Sequence, residues 1–146
     1  VLSTSFSSFA QNSDSEITLI QELFGLEKTD MLTDLLGDVN EEFWVTYNEY
    51  EDKRMALGKE RLELIKAYSE SYDDLTDDKI NELLKKIQTQ SKNTENLINQ
   101  YTKKIKKVSG TKVAAQFYQL ETYLLAAVRV KIMENIPLIG ELDPQY

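Results

Sequence analysis

A chain of 146 residues has room for one hydrophobic core, and its formal net charge of −8 opposes nonspecific attraction to phosphate backbones and anionic lipids. A composition that is 41% apolar and 29% charged excludes a wholly disordered chain, while five Gly and two Pro leave few tight turns and point to long helices. With no Cys and no His, disulfides, thiolate zinc sites, Ser-His and Cys-His nucleophiles and imidazole metal ligands are all excluded.

The first segment, residues 1–15, is expected to be the remnant of an export signal or a disordered leader, because small and apolar residues end in Ser8-Phe9-Ala10, an A-x-A-like step. Residues 16–139 are expected to form a single helical domain and 140–146 a C-terminal tail. No later stretch approaches the roughly 20 apolar residues that cross a bilayer, so no membrane insertion is expected. These readings place the protein in the periplasm or otherwise outside the cytoplasm.

Ile17, Ile20, Leu23 and Phe24, then Met31, Leu32, Leu35 and Leu36, recur at three- and four-residue spacing and predict two short amphipathic helices stopped by Gly25 and Gly37. From about Val39 a sustained seam of Phe43, Tyr47, Tyr50, Arg54, Leu57, Arg61, Leu64, Tyr68, Tyr72 and Leu75 predicts a long helix lying along another, with Asp38 as its N-cap. Gly58 lies inside it at a cost of about 1 kcal/mol relative to Ala. Thr76, followed by Asp77 and Asp78, is a second N-cap with acids in the first turn, where the helix dipole favours them. The next seam runs through Ile80, Leu84, Ile87, Ser91, Thr94, Ile98, Tyr101, Ile105 and Val108 to a stop at Ser109-Gly110. A third long helix is expected from about Thr111 to Asn135, stopped by Pro137.

Charge supports the pairing of these helices. Residues 38–78 carry 13 acidic and 5 basic side chains, whereas 79–112 carry 9 Lys and 2 Glu, so an antiparallel pair brings opposite signs together. The expected fold class is all-α: a long antiparallel helical hairpin with a third long helix packed on it and short N-terminal helices.

Arg54 and Arg61 stand seven apart within an apolar seam, where a charge needs a partner, and Glu121 on the third helix is the candidate for a buried ion pair. Phe43, Trp44, Tyr47, Tyr50, Tyr68 and Tyr72 form an aromatic stripe that is either core packing or a groove for apolar segments of a partner. In the second case Trp44, Tyr47, Tyr50 and Tyr68 are the partner-binding residues. The Lys103-Lys104-Ile105-Lys106-Lys107 run fits solvated capping of a helix C-terminus, and Asp73, Asp74, Asp77 and Asp78 fit turn and cap chemistry, without the glycine and terminal Glu of a calcium loop. No catalytic residue, metal ligand or cofactor site stands out, and no nucleophile is paired with an activating base.

The run Leu75-Thr76-Asp77-Asp78-Lys79 between two long helices, in a Cys-free chain with an export-like leader, resembles the LTxxQ motif of the Spy/CpxP-like periplasmic stress proteins. Lys79 stands where that motif has Gln. Phe43-Trp44 with Tyr47 and Tyr50, then Tyr68 and Tyr72, and later Ala115 to Glu121 and Ile136-Pro137-Leu138 are similar to a group of small exported bacterial proteins of unknown function. The resemblance implies a bent helical hairpin, often a homodimer, that shields unfolded clients or modulates an envelope stress response. The expected function is therefore a noncatalytic periplasmic binding protein with protein partners; the alternative is a self-associating or partner-specific regulatory or structural envelope protein.

Overall fold

The computed structural model describes residues 16–142, all helix and connecting turns with no strand among them. Residues 1–15, where the export-signal remnant or leader is expected, and 143–146 of the tail lie outside the described residues. Two nine-residue helices, α1 (Glu16–Phe24) and α2 (Lys28–Leu36), precede three long ones: α3 (Glu41–Ser71), α4 (Asp77–Ser109) and α5 (Thr111–Asn135). A 3-10 turn, Tyr72–Asp74, closes α3 before the hairpin turns into α4. The all-α hairpin with a third helix packed on it is what the two heptad-like seams require.

Each boundary has a local cause. Thr76 caps α4, its Oγ1 accepting a bond from the Lys79 amide at 3.2 Å. Asp38 is not the cap of α3. That place belongs to Asn40, which instead ties the start of α3 to the end of α4: its Nδ2 donates to the Val108 carbonyl at 2.7 Å and its Oδ1 accepts from Ser109 Oγ at 2.7 Å. Gly110 alone separates α4 from α5, with φ +91°. A side chain there would be strained, so glycine makes the sharp reversal possible. Ile136 is extended, as the residue before a proline must be, and α5 ends on it.

Helix α4 is central, packed against α3 on one side and α5 on the other. α1 and α2 run along the seam between α3 and α5 as a broken fourth helix. Leu32 joins Phe43, Tyr47, Tyr50, Tyr101, Ile105 and Phe117 at the Gly110 end, while Leu19 and Ile20 pack on Ile65, Leu124, Val128 and Ile132 nearer the hairpin tip. At the tip, Tyr68 and Tyr72 donate to the carbonyls of Pro137 and Leu138, which folds the segment after α5 back across the hairpin.

Candidate functional site

The aromatic stripe divides: Phe43, Tyr47 and Tyr50 are core, while Trp44, Tyr68 and Tyr72 are only partly buried. Phe43, Tyr47 and Tyr50 are at most 2% exposed, and Tyr50 meets Phe117 edge-on with ring centroids 5.0 Å apart. Trp44 is half-buried, edge-on to Phe43 at 5.0 Å. Tyr68 lies 24 residues further along α3, about 36 Å by helical rise, where its hydroxyl is engaged by Pro137. The four residues expected to share a partner-binding groove thus do not share a surface. The reason is register: the face of α3 that carries the tyrosines is the face against which α4 and α5 pack.

Burial pushes the Tyr47 hydroxyl far above its ordinary range, with the Glu121 and Glu51 carboxylates adding to the shift. Tyr50 is pushed up by burial and then by Glu121, to which it donates a 2.6 Å hydrogen bond. Both phenols therefore stay neutral in the folded protein at any ordinary pH.

Arg54 and Arg61 are buried and paired, as their place in the seam demands, but their partner is Glu16 rather than Glu121. Glu16 enters from the first residue of α1; one carboxylate oxygen meets Arg54 Nη2 and the other lies 3.2 Å from Arg61 Nη1. Gly58 sits between the two arginines on the same face of α3, and a Cβ there would fall 3.1 Å from Glu16 Cδ. The missing side chain is the space through which the carboxylate reaches both guanidinium groups. In the sequence, Arg54, Gly58 and Arg61 at i, i+4 and i+7 were the signal for this, and Gly58 reads there only as a tolerated defect.

Glu121 is engaged elsewhere, with Lys28 at 2.9 Å, and Lys28 reaches Glu51 at the same distance. Three cations and three carboxylates so balance inside the bundle, tying both short helices to α3 and α5. Gln90 links this layer to α4: Arg61 Nε donates to its Oε1 at 3.2 Å, and its Nε2 donates to the Leu57 carbonyl at 2.8 Å. Burial alone would lower the Arg54 guanidinium, but the fields of Glu16, Tyr50 and Glu121 outweigh it and hold it above its usual value. Arg61 goes the other way. Burial lowers it, Glu16 opposes the change, and the nearby Arg54 and Arg129 charges lower it further.

Beyond this layer the bundle opens. A cavity of about 560 Å³ lies between the C-terminal half of α3, the N-terminal half of α4 and the end of α5. Leu64, Ile65 and Tyr68 form one wall and Ile80, Leu83, Leu84 and Ile87 another. Ile132, Met133 and the Ile136–Ile139 segment form a third. Arg61, Ser91 and Arg129 are its polar residues at the inner end, next to the buried ion pairs. The motif residues divide here. Leu75 lines the cavity, Thr76 caps α4 and Lys79 points to Glu82 at 3.6 Å.

The sequence shows these apolar positions but not that they stay uncovered, since their seam is continuous with that of the closed core. Elsewhere Lys106 and Lys107 occupy the last turn of α4, and Lys104 pairs with Glu49 at 3.6 Å across α3 and α4, one exposed contact between the oppositely charged helices. Among the described residues no group of three or more acidic side chains is placed to hold a metal ion, and no helix is long and apolar enough to cross a membrane. Compared with protein-family models, curated proteins and solved structures, the chain finds no match in any of the three, so its own geometry carries the functional reading.

Proposed function

We propose that this protein is a noncatalytic helical binding protein, acting outside the cytoplasm, whose working surface is the groove at the hairpin tip. The observation that carries the reading is the groove itself: about 560 Å³ of apolar-walled space, within the range of roughly 300–1,000 Å³ typical of ligand sites. Leu84, Met133, Leu138 and Ile139 at its edge are 49–59% exposed, an apolar rim that water solvates poorly. A Spy/CpxP-like shielding of apolar chain, expected from the motif at Leu75-Thr76, is assigned by this reading to the groove that Leu75 and Tyr68 line and not to Trp44, Tyr47 and Tyr50. The test is suppression of aggregation of a denatured client without ATP. The full chain should suppress it, and Leu84→Ser with Ile87→Ser should abolish the effect while leaving the helical signal intact. Failure with several unrelated clients removes chaperoning of unfolded protein.

A second reading, self-association, is favoured by one surface. Tyr123, Val130 and Met133 stand on one outer face of α5 at 53–60% exposure, an apolar stripe suited to a second copy. A concentration-independent monomer mass in light scattering would remove it.

A further inference from the structure

We infer that the groove at the hairpin tip binds a long-chain carboxylate, with the carboxylate at Arg61 and Arg129 and the hydrocarbon tail along α4 toward Leu75. The inference rests on the groove being the working surface and adds what occupies it.

Three observations point to this chemistry. The first is an unanswered donor. Arg61 lines the groove with its side chain 4% exposed; its Nη1 faces Glu16, its Nε is bonded to Gln90, and its Nη2 has no hydrogen-bond partner among the described residues. A buried guanidinium N–H without an acceptor is costly, and an anionic oxygen is its strongest complement.

The second observation is local charge. In a chain of net charge −8, Arg61 and Arg129 both line the inner end of the groove, and besides burial the Arg54 and Arg129 charges lower the Arg61 guanidinium, with Glu16 its one ion-pair partner among the described residues. Among the described residues Arg129 pairs with the exposed Glu95, at 3.3 Å. One further negative charge at the inner end of the groove relieves this excess.

The third is the nature of the walls. From Ser91 out to Ile80 the groove follows α4 for about 16 Å, between aliphatic side chains carried on helices whose backbone groups are already paired. An alkyl chain lies along such walls with no polar group to satisfy, whereas a client segment held there meets them through its apolar side chains and leaves its N–H and C=O groups to solvent at the open side. The aliphatic walls and the buried guanidinium together therefore favour a hydrocarbon tail ended by a carboxylate.

Calorimetric titration of the full chain with dodecanoate and with dodecan-1-ol tests this. Dodecanoate should bind about tenfold more tightly than the alcohol, the worth of one charge-assisted hydrogen bond. Arg129→Gln, at an exposed pair, should reduce that preference to about threefold or less without changing thermal stability, and Leu84→Trp, which fills the groove, should abolish binding of both ligands. Equal binding of acid and alcohol would overturn the carboxylate assignment while leaving an apolar binding groove. Binding of neither would overturn both. Dodecanoate binding untouched by Arg129→Gln and Leu84→Trp would place the ligand elsewhere and overturn the inference. An apolar peptide with a free C-terminus that competes more tightly than dodecanoate would overturn the choice of a hydrocarbon.

Discussion

The two ends of α4 carry the same kind of seam and meet opposite fates. Ile98, Tyr101 and Ile105, toward Gly110, are at most 1% exposed against Phe43, Tyr50 and Phe117. Ile80, Leu84 and Ile87, toward the tip, line an open groove, and Leu84 is 49% exposed. Periodicity is equal in the two halves; coverage is not. α5 has 25 residues against the 33 of α4 and stops before Pro137, so the first turns of α4 outrun it, and only the Ile136–Ile139 segment crosses the gap. Between the two halves stands the buried polar layer of Glu16, Arg54, Arg61 and Gln90. An open apolar groove arises here where a helix partner ends, and of the aromatic stripe only Tyr68 lines it.

The comparison breaks most readily in the closed half. Phe117→Ala should cost about 3–5 kcal/mol in urea denaturation, the usual loss for a large buried aromatic. A cost under about 1 kcal/mol would show that the aromatic end is not the packed half. The dividing layer should be comparably sensitive, because Glu16→Ala leaves Arg54 and Arg61 buried without their carboxylate, for roughly 3–5 kcal/mol by the same measurement.

Alkaline pH probes the closed half most strongly, with Tyr68 at the tip raised only by its partial burial and its Tyr72 and Glu141 neighbours. Tyr47 and Tyr50 have folded-state pKa values raised above the ordinary 10.0, so their contribution is fully present below that value and is lost as pH rises beyond it, when the unfolded chain releases phenolic protons that the folded one keeps. Stability should fall by about 3 kcal/mol between about pH 9 and pH 11 for the pair, and Tyr47→Phe should remove about half of that dependence. An unchanged slope in the variant would mean that Tyr47 ionises in the folded state.

Smaller effects sharpen the boundary. Gly58→Ala should gain helix propensity but crowd Glu16, for a net loss of about 1 kcal/mol; with Glu16→Ala already present the same change should become stabilising. The reversal of sign in this cycle is the readout, and additivity would mean that Gly58 makes no room for the carboxylate. Leu84→Ala, in the open half, should stay within about 0.5 kcal/mol.

Helix number, the hairpin, the Thr76 cap and the stops at Gly37, Gly110 and Pro137 were all written locally, in the apolar period and in residues whose backbone freedom or hydrogen bonding ends a helix. That Arg54 and Arg61 would be buried and paired was legible too, since a charge within an apolar seam has no other outlet. Their partner was not. Glu16 and Glu121 are both carboxylates within reach of a plausible packing, and the choice depended on the gap at Gly58 and on Lys28 already holding Glu121. The groove was likewise hidden, because Ile80, Leu84 and Ile87 have the same spacing as Ile98, Tyr101 and Ile105. Amino-acid order fixes which face of a helix is apolar; only the lengths and placement of its neighbours decide how much of that face is covered, because burial is a property of surfaces in contact and not of the chain that bears them.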